Sequence, residues 1–162
     1  MRTLFESVRI LNQKKPHALI VFGEGILSKS DRKYAAATPG VCLAGFTSNR
    51  EEIASAYASS DIYVHGSAAE TFGLSIAEAI CSGLPVVAPD MGGAADLVQN
   101  PFENLYKAGD PQDCARAVEK AQTISKADWE QHTSSRIQFI KKTDEHFQNL
   151  FNYYEKLRSN SY

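Results

Sequence analysis

Four short apolar runs recur along the chain, Ala18–Phe22, Val41–Ala44, Ile62–Val64 with Asp61 before it, and Pro85–Ala88, and each is followed by a segment of helical spacing. Runs without polar alternation read as strands covered on both faces, which requires helices on both sides of a sheet. Such strand–helix alternation predicts an α/β fold: a Rossmann-like parallel sheet flanked by helices, with right-handed crossovers. The first expected helix is 1–13, with Leu4, Phe5, Val8 and Leu11 on one face. Others are expected near 28–37, at 50–59 behind Asn49 as N-cap, and at Phe72–Ser82 closed by Gly83. A Gly92-Gly93 turn precedes a short helix near 94–98, Asn104–Tyr106 reads as an edge strand, and Asp110-Pro111 opens a helix to about Ile124. A long C-terminal helix is expected from Asp128 to about Arg158, leaving Ser159–Tyr162 as a frayed tail after a single domain, 1–158. Its stripe of Ile137, Ile140, Phe147, Leu150, Phe151, Tyr154 and Leu157 either covers the sheet or docks on another domain.

Composition removes several function classes. The net charge of −2 over 162 residues argues against a nucleic-acid-wrapping protein. No apolar run approaches the ~20 residues of a membrane helix, and the N-terminal residues lack the pattern of a secretory signal. Cys42, Cys81 and Cys114 lie far apart, as do the four histidines, so neither a disulfide framework nor a metal site is written in the spacing; a reducing, cytoplasmic setting is expected. Charge is uneven: between Arg50 and Lys107 there is no Lys or Arg, while eight acidic residues lie there, so this stretch is −8 and the remainder +6.

The segment Glu70–Val87 carries the most chemistry. A helix opening near Phe72-Gly73 presents unpaired N–H groups and a partly positive end, a seat for phosphate. Gly73 would let a ligand approach the backbone closely. Glu78 lies six residues beyond Phe72, ~9 Å along a helix axis. A carboxylate on each side of a phosphate seat matches a nucleotide-sugar, whose diphosphate is flanked by sugar and ribose hydroxyls, because ionised carboxylates only accept hydrogen bonds. Taken singly, each glutamate reads as a solvated surface residue; the whole string and its neighbours favour the functional reading.

Together these residues resemble a known family. Glu70 and Glu78, with Thr-Phe-Gly-Leu after the first and Ala-Ile-Cys-Ser-Gly-Leu-Pro-Val-Val after the second, are similar to the Glu-x7-Glu motif of retaining glycosyltransferases of the group-1 (family 4) class. Leu19–Gly25, Val41–Phe46, Tyr57–Val64 and Gly92–Val98 resemble further motifs of that class in the same order, over roughly residues 4–125. The resemblance implies one half of a GT-B fold, the donor-binding half, moving a hexose from a nucleoside-diphosphate sugar to an acceptor hydroxyl. It implies that Glu70 faces the sugar, with Thr71 beside it, and that the amides of Phe72, Gly73 and Leu74 hold sugar and phosphate. Glu78 would bind the ribose, Gly45, Phe46 and Thr47 would lie against the base, and Gly23 and Gly25 would keep a loop thin beside the cleft. No metal or other cofactor is implied, because the nucleotide-sugar is the substrate. Front-face attack would need no enzyme nucleophile.

Departures from the pattern matter as well. His65-Gly66-Ser67 replaces the family's usual Pro-Ser, and His65 reads either as a strand-end histidine with local hydrogen bonds or as a contact to the sugar. The resemblance places the family's first strand, with the Arg and Lys that clamp the diphosphate, ahead of residue 1, and the N-terminal acceptor domain in another part of the same chain or in a separate one. Any contact with the inner face of a membrane would fall to that half. This chain alone is therefore expected to bind a nucleotide-sugar weakly and to be inactive by itself. The alternatives are a non-catalytic nucleotide-sugar-binding or regulatory module, a sugar-nucleotide epimerase, which would need further acid/base residues around the ring and which the Glu-x7-Glu context argues against, and a flavodoxin-like signalling domain, which leaves the Glu70–Pro85 string unexplained.

Overall fold

The structure, a computed structural model, describes residues 1–23, 27–70, 73–98, 102 and 104–141. Strands and helices alternate as α1 (Arg2–Leu11), β1 (Leu19–Phe22), α2 (Lys29–Ala36), β2 (Val41–Gly45), α3 (Arg50–Ala58), β3 (Tyr63–Val64), α4 (Leu74–Cys81), β4 (Val86–Pro89), α5 (Gly92–Val98), β5 (Leu105–Tyr106), α6 (Pro111–Ala121) and α7 (Lys126–Lys141). All pairings among these strands are parallel.

Local chemistry sets most helix ends. Asn49 accepts hydrogen bonds from the N–H groups of Glu51 and Glu52, Ser28 from that of Asp31, and Asp110 from those of Gln112 and Asp113. Each satisfies donors that a helix leaves open at its start. At the end of α4, Gly83 takes a positive φ of 78°; its N–H donates to Ile80 and that of Leu84 to Ala79, a Schellman closure. Asn49→Ala is expected to cost about 1 kcal/mol and lower Tm by roughly 2–4 °C, readable in a thermal melt.

Several expected boundaries shift. The helix after Glu70 starts at Leu74 rather than Phe72, because Gly73 is its left-handed N-cap at φ 69°. Likewise α5 begins at Gly92 itself, where a turn was expected, and α6 ends at Ala121, short of Ile124. The expected continuation of the last helix from 142 to Arg158, and the tail after it, lie outside the described residues.

Strand β4 is the centre of the packing. Its side chains alternate in direction. Val87 joins Leu4, Leu11, Tyr106, Cys114 and Val118 under α1 and α6, while Val86 and Ala88 join Ile76, Ile80, Val98 and Trp129 under α4, α5 and α7. Burial on both faces, as expected for a continuous apolar strand, therefore holds at β4. It does not hold at β1 and β2: Ile20 is 57% exposed, and Cys42 and Ala44 are exposed beside it. Helix α2 packs on β2.

The strands form two sheets, β1–β2 and β3–β4–β5. Helix α1 starts beside the residue run that follows β3 and beside α2. A Cβ added at Gly66, two residues past β3, would lie 2.7 Å from Leu4 Cδ1 and 3.4 Å from Met1 Sδ. Arg2 meanwhile reaches α2, 3.8 Å from Asp31 and with its guanidinium 3.6 Å over the Tyr34 ring.

Candidate functional site

The loop between β3 and α4 ends in Glu70, and three contacts fix this residue. Its Oε1 accepts the Gly73 N–H at 2.9 Å, its carbonyl accepts the Gly93 N–H at 3.0 Å, and its Oε2 faces His65 Nε2 at 3.6 Å. The glycines have steric reasons. A Cβ on Gly92 would stand 3.1 Å from the Ala68 carbonyl and 3.2 Å from that of Glu70, so the start of α5 presses on the Glu70 backbone. A Cβ on Gly73 would stand 2.8 Å from Leu97 Cδ1 and 3.1 Å from Ile76 Cδ1. Gly73 is thus favoured by its left-handed φ and by α5 packed against it. Its N–H, expected to serve phosphate, is engaged by Glu70 in this structure.

Beneath the loop lies a polar row. Tyr63 and His65, two apart on the strand and its extension, point the same way. The Tyr63 hydroxyl donates to Ser75 Oγ at 2.9 Å and pairs with His65 Nδ1 at 3.2 Å. Burial pushes the Tyr63 hydroxyl pKa up, with Glu70 and Glu78 adding to the rise, so it stays a neutral donor. Burial lowers the His65 pKa against the pull of Glu70, which favours the neutral ring.

Glu78 is exposed on α4, four residues after Leu74 and so ~6 Å along the axis rather than ~9 Å. The Tyr57 hydroxyl, from α3, lies 3.3 Å from Glu78 Oε2 and 3.2 Å from the Ser75 carbonyl, and donates to this pair of acceptors. Burial raises the Tyr57 pKa, with Tyr63 and Glu78 contributing. The Tyr57 and Tyr63 rings lie 5.9 Å apart, so the two tyrosines form one wall behind both glutamates. The Tyr57–Val64 motif contains both tyrosines but gives neither a role at the site. The signal that finds them is the Tyr63-x-His65 spacing, which puts two polar rings on one side of a strand that ends at the site.

The remaining candidates divide. Gly23 and Gly45 meet at the ends of β1 and β2, where the Gly23 N–H donates to the Gly45 carbonyl at 2.8 Å. Both have positive φ, and an added Cβ would meet nothing within 4 Å, so here only the backbone conformation selects glycine. Phe46 is 67% exposed, and Thr47 donates to Glu52 at 2.6 Å. Gly25, Thr71 and Phe72 lie outside the described residues. Arg2, which sits too late in the chain to match the family's diphosphate clamp, is engaged with Glu6, Asp31 and Tyr34. Among the described residues no group of three or more His, Cys, Asp and Glu side chains is placed to hold a metal ion, and no helix is long and apolar enough to cross a membrane.

The fold is a parallel α/β one with two carboxylates beside one helix start, and the chain belongs to the family described as Glycosyl transferases group 1, which it matches over residues 1–123. It is 36% identical over 124 residues to the sulfoquinovosyl transferase SQD2 of Arabidopsis thaliana, covering 74% of this chain and 23% of that protein. It is 43% identical over 81 residues to a GDP-mannose-dependent alpha-mannosyltransferase of Mycobacterium tuberculosis, covering 49% of this chain and 20% of that protein. The chain thus spans about a quarter or less of the length of these curated relatives. Among solved structures, Anabaena Alr3699/HepE in complex with UDP-glucose shares the fold, with a TM-score of 0.61, 23% identity, and coverage of 90% of this chain and 45% of that one.

Proposed function

We propose that this chain is the donor-binding domain of a retaining glycosyltransferase, which moves a hexose from a nucleoside-diphosphate sugar to an acceptor hydroxyl. The observation that carries the reading is the pair of carboxylates at the start of α4, Glu70 before it and Glu78 within it, each backed by a tyrosine hydroxyl network. Glu70 accepts hydrogen bonds from sugar hydroxyls, Glu78 from the ribose, and the start of α4 faces the diphosphate between them. Gly45, Phe46 and Thr47 flank the base. The transfer proceeds by front-face attack of the acceptor, assisted by the donor's own phosphate oxygen, with no enzyme nucleophile and no metal. The GDP-mannose named for one relative and the UDP-glucose bound by one structural neighbour support this donor class.

The reading includes a second half that binds the acceptor. Two features support it. The described part of the chain has no Lys or Arg between Arg50 and Lys107 to offset a diphosphate, and a helix start supplies only ~0.3–1 kcal/mol at exposed sites. Among the described residues β1 pairs with β2 and β3 with β4, and the start of α1 lies beside Gly66 past β3 and beside α2. A further parallel strand beside β1 and β3 would join the two sheets.

Complementation tests the whole reading. The chain, combined with an acceptor-binding domain from a relative, is expected to transfer hexose from a nucleotide-sugar with retained anomeric configuration, while the chain alone is expected to bind GDP-mannose or UDP-glucose more weakly than micromolar by calorimetry. Tight binding by the chain alone would refute the shared clamp. Binding without transfer in every combination would leave a regulatory binding module instead.

A further inference from the structure

His65 is held on three sides. Its N–H donates to the Val87 carbonyl at 2.8 Å, its own carbonyl accepts the Tyr106 hydroxyl at 2.8 Å, and Nδ1 meets the Tyr63 hydroxyl at 3.2 Å. The side chain is 9% exposed. Its fourth polar atom, Nε2, is sealed from solvent and makes no hydrogen bond among the described residues, yet it stands 3.6 Å from Glu70 Oε2. That separation is just too long for a hydrogen bond, and a buried polar nitrogen left in this state is unfavourable.

Proton counting shows what closes the gap. The Tyr63 hydroxyl has one proton. While it goes to Ser75 Oγ, a neutral His65 must carry its proton on Nδ1, and a bare Nε2 then faces a carboxylate, acceptor against acceptor. Reversing the row repairs this. Ser75 Oγ donates to the Tyr63 oxygen, Tyr63 donates to Nδ1, and Nε2–H points at Glu70 Oε2, so every donor finds an acceptor. The other carboxylate oxygen is already held by the Gly73 N–H. With contacts on both oxygens, the plane of the carboxylate is set.

We infer that His65 is a positioning residue for Glu70: its Nε2–H closes onto Oε2 when a donor sugar engages the carboxylate, so the grip on the sugar depends on a buried ring that does not touch it. This rests on the proposed donor-binding reading. It also separates two roles that a strand-end histidine would otherwise merge, because a ring that served only the fold would act on nucleotide and nucleotide-sugar alike.

The test uses the full chain with millimolar GDP, GDP-mannose, UDP and UDP-glucose, and compares wild type with His65→Gln, which keeps a donor near the Nε2 position, and His65→Asn, which keeps a polar group only near Nδ1. Thermal melts establish that both variants fold. The quantity read is the ratio of affinity for the sugar nucleotide to that for its nucleoside diphosphate. His65→Asn is expected to lower this ratio about 10-fold while leaving the affinity for the nucleoside diphosphate unchanged, a difference of ~1.4 kcal/mol; His65→Gln is expected to restore most of the ratio. In wild type, imidazole ¹⁵N spectra are expected to show the proton on Nε2 in the sugar-nucleotide complex. An unchanged ratio in His65→Asn, an equal loss for both ligands, or an Nδ1–H ring in that complex overturns the inference. Wild type that takes up neither nucleotide nor nucleotide-sugar overturns the donor-binding reading itself.

Discussion

Glu70→Ala is expected to reduce kcat/KM for sugar transfer roughly 100-fold, measured on the chain combined with an acceptor-binding domain. Hydrogen bonds to a charged group contribute about 1.5–3 kcal/mol each, and losing one such contact to a sugar hydroxyl corresponds to a factor of ten to over a hundred. The same substitution removes the acceptor of the Gly73 N–H, which adds about 1 kcal/mol of lost helix-start stability. Glu70→Gln separates the two effects. Its amide oxygen can still accept from Gly73, so stability should stay near wild type while transfer falls by an intermediate amount. Wild-type kcat/KM in Glu70→Ala would remove Glu70 from the donor site and take the functional proposal with it.

Trp129→Ala is expected to lower the unfolding free energy by about 3–5 kcal/mol and Tm by roughly 10 °C. Trp129, on α7, is 2% exposed and packs with Ile76 and Ile80 of α4 and with Val98 of α5; its ring lies 6.2 Å from that of Phe102 and 5.9 Å from that of His132. Removing it leaves a cavity under the helix that carries Glu78. Trp129→Phe should cost distinctly less, because it keeps much of the apolar bulk and deletes a buried indole N–H that has no hydrogen-bond partner among the described residues. Equal melting temperatures for Trp129→Ala and wild type would mean that α7 does not dock on α4 in solution.

Most of the elements were legible one at a time. Asn49, Asp110 with Pro111, and Gly83 act on backbone groups within three residues, so their effect does not depend on the rest of the fold. The Leu4, Phe5, Val8 and Leu11 stripe names the buried side of α1 from periodicity alone. Less was legible at the site. Gly73 looks the same in the sequence whether it admits a ligand or Leu97; only the placement of α5 shows that Leu97 and Ile76 fill the space. Tyr57 and Glu78 are 21 residues apart, and their hydrogen bond exists because α3 and α4 come together. The expectation of strands buried on both faces failed at β1 and β2 for a related reason: apolar character states what a strand can bury, not whether a helix covers it.

Sequence alone determined the order of strands and helices, most of their ends, and the membership of Glu70 and Glu78 in one motif, because these rest on periodicity, capping and spacing along the chain. Tertiary structure decided that Tyr57, Tyr63 and His65 stand behind those carboxylates, and that Ile20, Cys42 and Ala44 of β1 and β2 are exposed. Contacts between residues far apart in the chain depend on how helices pack across strands, and that packing is settled by the summed burial of many side chains rather than by any short run of them.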